Sequence, residues 1–228
     1  MRPVGFSTGA LAKGDFRRAL ERLRATDATA VELSALRGAE LAPLLAALDD
    51  LDLARFEHVS VHAPGRFPAR EEGDLVARFV PVAERGWPIV VHPDAIHEPA
   101  RWAPLGPLLL LENMDRRKPG RTADELAPFF ARLPEAGLCL DLAHARQVDP
   151  TMAEAERLVE RSGDRLREIH LSELDDRGEH HRLSPASADA FRRLARRLPA
   201  GVPVILESPF RQGDPAAELA AARSLLAG

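Results

Sequence analysis

One cysteine, Cys139, stands alone in 228 residues, so no internal disulfide can staple the chain. A reducing compartment, and hence a cytoplasmic location, is the expectation. Positive charge is not in excess either: 31 Lys and Arg against 35 Asp and Glu leave a formal net charge of -4, which disfavours a dedicated nucleic-acid binder. The opening MRPVGFSTGALAKGDFRR carries charge within its first apolar stretch and has no hydrophobic region of signal-peptide length. No apolar run approaches the ~20 residues that span a bilayer, so no membrane partner is expected. STGALAKG does not match the GxGxxG of a dinucleotide-binding sheet. No Pro- or Ser-rich linker and no break in composition divides the chain, so a single domain over residues 1–228 is expected.

What is present is a globular composition, 45% hydrophobic and 29% charged, which excludes disorder as the main state. Short aliphatic runs recur along the whole sequence: 3–7, 30–34, 58–62, 88–92, 107–113, 137–141, 167–172 and 203–208. Between them lie stretches such as DFRRALERLRA, TADELAPFFARL and SADAFRRLARRL, with apolar residues at three- and four-residue intervals. Asp15, Thr122 and Ser184 stand where helix caps belong, the last just before Pro185. Eight strand-like runs alternating with helical stretches, at a spacing of roughly 28 residues, predict a single (β/α)8 TIM barrel at the small end of its size range.

The residues that close the runs carry the chemistry. Glu32 lies in the second run, His62 ends the third and His92 the fourth. Glu112 ends the fifth, Asp141 the sixth, His170 is near the end of the seventh and Glu207 near that of the eighth. Barrel active sites form at the carboxyl ends of the strands. Ionisable groups placed after IVV, LLLL and VIL need compensation in such surroundings. His144, three residues past Asp141, and His180 in GEHHRLS extend the set. Imidazoles mixed with carboxylates suit Zn, Mn or Fe, with one to three ions per chain expected. Cys139 is expected to fill the barrel interior, and His58, deeper than His62, to be structural. Arg116, Arg117 and Lys118 are either an ordinary solvated loop or a contact for a phosphate or carboxylate. Glu32, Ser34, Phe67 and Trp102 are expected to line the pocket.

At these residues the sequence resembles the xylose isomerase-like TIM barrels, a superfamily of sugar isomerases and epimerases that also holds the endonuclease IV group. The likeness covers essentially the whole chain. It implies one metal held by Glu112 in LLLLENMD, Asp141 in LCLDLAH, His170 in EIHLSE and Glu207 in VILESP. The endonuclease IV pattern further implies a trinuclear site, matched by His62, His92, His144 and His180. Gly178 stands where that pattern has an aspartate two residues before His180, with Asp176 and Glu179 out of place as substitutes. Two functions follow. In an isomerase or epimerase, Glu112 and Glu207 exchange protons with a carbohydrate-like substrate, and Glu32, Arg117 and Lys118 bind it. In a phosphoesterase, several ions bridged by Glu112 activate water. Small size and acidic charge lean towards the isomerase and a small carbohydrate or phosphorylated substrate, with homo-oligomerisation left open.

Overall fold

Successive residues of a strand face opposite sides, and in this chain nearly every strand has one aliphatic side. Val31 and Leu33, Val59 and Val61, Leu138 and Leu140, and Val204 and Leu206 all belong to one continuous buried cluster. That cluster also holds the inward faces of the helices, for example Leu41, Leu126, Leu158, Phe191 and Leu219. Each such side chain contributes roughly 1.5–3 kcal/mol when it leaves water. A closed barrel within a ring of helices buries the aliphatic side of all eight parallel strands at once.

The computed structural model describes residues 2–209 and 215–226. Its barrel strands are β1 (Val4–Ser7), β2 (Ala30–Ser34), β3 (His58–His62), β4 (Ile89–Val91), β5 (Leu109–Glu112), β6 (Gly137–Asp141), β7 (Leu166–Leu171) and β10 (Val204–Leu206). They close in the order β1-β10-β7-β6-β5-β4-β3-β2, with parallel pairing wherever strands meet. A short antiparallel hairpin, β8 (Glu173–Leu174) with β9 (His180–His181), stands on the rim after β7. All eight expected runs are strands.

The expected caps form: Asp15 accepts from the Arg18 amide, Thr122 from that of Glu125 and Ser184 from that of Ser187. Three local features were not anticipated. The stretch after β3 breaks into Glu72–Arg78 and Val80–Glu84, because Pro81 brings no N–H and crowds the preceding turn. Helices Thr8–Ala12 and Leu142–Val148 start directly from strand ends with no intervening loop. Trp102, expected in the pocket, is fully buried, and its indole N–H donates to Glu72 at 2.9 Å. Phe67 packs against Trp102 and His97 and likewise contributes to the shell, not the cavity. Among the described residues no helix is long and apolar enough to cross a membrane.

Candidate metal centre

The second side of each strand faces the barrel axis, and it is mostly polar. Among the described residues, only Val90, Leu110 and Cys139 form an apolar cluster there. Around and above them sit Ser7, Glu32, Ser34, Ser60, His62, Glu112, Asp141, Glu168 and His170, all buried. Barrel interiors are usually filled with branched aliphatics, so this interior is built for something else.

Register sets the depth of each group. Ser34 pairs with His62, His62 with Val90, Glu112 with Cys139 and Asp141 with His170. His62, Glu112 and Asp141 therefore end their strands at the carboxyl-terminal rim, with His92 and Glu207 one residue past β4 and β10. Above them opens a cavity of about 1110 Å³ whose walls include His62, His92, Glu112, His144, His180 and Glu207.

Glu112 lies at the centre, and its two oxygens face different neighbours. Oε2 is 3.1 Å from His62 Nε2 and 3.3 Å from His92 Nε2. Oε1 is 3.1 Å from His144 Nδ1 and 3.8 Å from His170 Nδ1. Two sets of possible ligand atoms share this carboxylate: His62, His92 and Glu112, and Glu112, Asp141 and His170. Glu207 adjoins the second set, with Oε1 3.6 Å from His170 Nδ1. Burial would push the Glu112 carboxyl up, but His92 foremost, then His144, His170 and His62, hold it well below its ordinary range.

The hydrogen bonds around these groups aim their free atoms inward. His62 Nδ1 donates to the Ala63 carbonyl at 2.8 Å, which leaves Nε2 to meet Glu112. Asp141 accepts the His144 amide on Oδ1 at 2.7 Å, capping helix Leu142–Val148. Its other oxygen, Oδ2, is buried without a hydrogen-bond partner, as are His170 Nδ1 and Glu207 Oε2. Asn113 ties β5 to β6, donating to the Asp141 carbonyl at 2.9 Å and accepting the Asp141 amide at 2.8 Å. Orphaned buried polar atoms are costly. A divalent cation held by Glu112, Asp141 and His170 would satisfy the orphaned atoms of Asp141 and His170, with Glu207 alongside, so the residues present fit a metal.

Charge points the same way. Burial drives the Glu207 carboxyl up to about 8, helped by Asp141, Glu112 and Glu32 and opposed by His170. Burial disfavours the charged form of His62 and His144, yet Glu32 and Glu112 raise the first to about 9, and Asp141 and Glu112 raise the second to about 10. For His180, burial foremost, with His144 and His170, outweighs the support of Asp141 and Glu112 and lowers it to about 4. Carboxylates crowded in a dry site recruit positive charge, and a bound cation supplies it more directly than protons do.

Beneath the rim lies a second layer. His170 Nε2 is 3.1 Å from Glu168 Oε1 and 3.2 Å from Glu32 Oε2, while His58 Nε2 bonds the other oxygen of Glu168. Glu32 is thus fully buried one layer below His62 and does not reach the cavity wall, unlike its expected role beside substrate. Glu168 and Asn113 had not been singled out. Glu168 was findable, because two residues before His170 on a strand is the same face. Cys139 is buried and its thiol is pushed up by burial, as befits a filler.

Of the basic loop after β5, Arg117 and Lys118 line the cavity, whereas Arg116 pairs with Asp176 at 3.0 Å outside it. Lys118 Nζ lies 3.2 Å from His92 Nδ1 and 3.9 Å from Asp94. Arg117 grips Asp115 through Nε at 3.1 Å and Nη2 at 2.8 Å.

The fold is that of the xylose isomerase-like TIM barrels. Endonuclease IV from Thermus thermophilus aligns over 99% of both chains with a TM-score of 0.67 and 23% identity. A xylose isomerase domain protein from Alicyclobacillus acidocaldarius aligns over all of this chain and 98% of its own, with a TM-score of 0.60 and 16% identity. SacUVDE aligns over 99% of this chain and 98% of its own, at 0.59 and 15%. At these identities the likeness is one of fold. No family model matches the sequence, and no curated protein matches it.

Proposed function

We propose that this chain is a divalent-metal-dependent hydrolase of a phosphoester, with two ions sharing Glu112. One would be held by His62, His92 and Glu112, the other by Glu112, Asp141, His170 and Glu207. The observation that carries the reading is the placement of Glu112, one oxygen towards His62 and His92 and the other towards His144 and His170. A pair of divalent ions supplies an activated water and stabilises the leaving oxygen of an in-line displacement.

The chain's own groups have distinct tasks. His62 presents Nε2 because Ala63 holds its Nδ1–H, and Asp141 presents Oδ2 because the His144 amide holds Oδ1. Glu168 holds the far nitrogen of His170, with Glu32 3.2 Å from it, so Nδ1 is the atom turned to the cavity. Lys13, Arg18, Arg22, Arg117, Lys118 and Arg182 line the mouth beside Asp115 and Glu179, a basic rim in which Arg117 is paired with Asp115 and Arg182 with Glu218. Such a rim attracts and orients an anionic substrate. His180, held by Ser172 at 2.8 Å, stands on the wall as a hydrogen-bonding group for substrate or water.

The isomerase or epimerase reading keeps one support. A Glu207 carboxyl raised to about 8 exchanges protons near neutral pH. Its weakness is Glu112, whose oxygens are both engaged by imidazoles and are therefore unsuited to a free proton acceptor. The test is to strip the protein with a chelator, reload it with Mn or Zn, and assay nitrophenyl phosphate mono- and diesters beside a panel of aldoses, ketoses and their phosphates. Phosphoester turnover that returns with the second equivalent of metal and is lost in His62→Ala is expected. Sugar isomerisation supported by a single ion that survives His62→Ala would overturn the proposal.

A further inference from the structure

His144 and His180 face one corner of the cavity with their rings 5.9 Å apart, where a trinuclear pattern would place a third ion. The residues there do not fit one. Among the described residues, no cluster of three ligand atoms within 4.8 Å includes either histidine. Gly178, two residues before His180, has φ 76, in the left-handed region that favours glycine. A Cβ at that position would overlap the Arg117 guanidinium. Neither nearby acid replaces the missing ligand: Asp176 is paired with Arg116, and Glu179 is exposed.

The group that lies against Gly178 is Arg117, whose side chain is 46% exposed but whose guanidinium is anchored. Asp115, only 3% exposed, accepts from Arg117 Nε at 3.1 Å, from Nη2 at 2.8 Å and from the Arg117 amide at 2.7 Å. Nη1 donates to the Arg177 carbonyl in the turn that joins β8 to β9. A guanidinium carries five N–H groups. The side-chain contacts use three, leaving one on Nη1 and one on Nη2 for the oxygens of a phosphate.

We propose that the chain carries two ions and not three, and that the fixed guanidinium of Arg117 takes the place of the third cation in holding the oxygens of an anionic phosphoester. This rests on the two-ion reading above. The guanidinium lies where a side chain at residue 178 would have to stand, and its remaining N–H groups offer a substrate oxygen the hydrogen bonds that replace coordination by a third ion.

The test counts ions and measures phosphate affinity on the same samples. Wild type, Arg117→Ala and Arg117→Lys are loaded with Zn, freed of excess metal, analysed for metal per chain, and titrated calorimetrically with inorganic phosphate. Two ions per chain are expected in all three. Phosphate affinity should fall about tenfold to a hundredfold in Arg117→Ala, with Arg117→Lys in between because it restores the charge but not the fork. Three ions in the wild type, or phosphate affinity unmoved in an Arg117→Ala protein that still holds two, would overturn the proposal. Fewer than two ions in the wild type would instead overturn the two-ion reading beneath it.

Discussion

The two sides of the same eight strands obey opposite rules. Towards the helices, Val31, Leu33, Val61, Leu138, Leu140 and Val204 are buried among other aliphatics. Towards the axis, Glu32, Ser60, His62, Glu112, Asp141, Glu168 and His170 are buried just as deeply among polar groups. The outer side provides the stability, and the inner side draws on it to hold charges that would not otherwise stay in a dry interior. Substitutions on the two sides should therefore separate cleanly in what they affect.

The largest effect is expected at Glu112. Replacing it with Ala should lower phosphoester turnover by about 10³-fold or more while thermal unfolding moves little, because both ions lose a shared ligand. Steady-state kinetics beside a melting curve checks this, and a lowered melting temperature with activity per folded molecule retained would break the comparison. Phe191→Ala, on the outer side, should do the reverse. Its fully buried ring leaves a cavity costing about 3–5 kcal/mol in denaturant unfolding, with the ion count per folded chain unchanged.

Glu168→Gln sharpens the boundary between the two. It keeps the shape but weakens the acceptor of His170 Nε2, so metal affinity in a chelator competition should fall about tenfold to a hundredfold. The smallest effect lies at the helix Ala123–Arg132. There the Arg121 side chain foremost, against a burial penalty and with the Arg121 and Gly120 amides, holds Glu125 down at about 2. A depressed carboxyl stabilises above its unfolded pKa near ~4.3 and loses that contribution as pH falls towards about 2. Glu125→Gln should cost at most about 1 kcal/mol at pH 7, and the difference from wild type should fade across that acid window.

The outer side was readable because period-two aliphatics between amphipathic stretches leave little choice of fold. The inner side was readable in kind but not in depth. Glu32 and His62 look alike in sequence, each an ionisable residue in an aliphatic run. Yet Glu32 pairs with Ser60, and only Ser34 stands level with His62. That vertical offset comes from the pairing register, which no single run encodes. Asp141 hid a second role for a related reason: it ends β6 and caps the next helix at once, so DLAHARQV shows no loop to mark the start. Gly178 was visible as a departure from the pattern. Its consequence depended on Arg117, 61 residues earlier in the chain, whose guanidinium only the folded barrel brings to it.

The sharing of Glu112 by two ions is tested most directly by electron paramagnetic resonance of the protein loaded with Mn(II) to saturation. A spin-coupled pair is expected, replaced in Glu112→Ala by the signal of isolated ions or by none. Isolated Mn(II) in the saturated wild type, with no coupled signal at any loading, would contradict a shared carboxylate at the centre of the site.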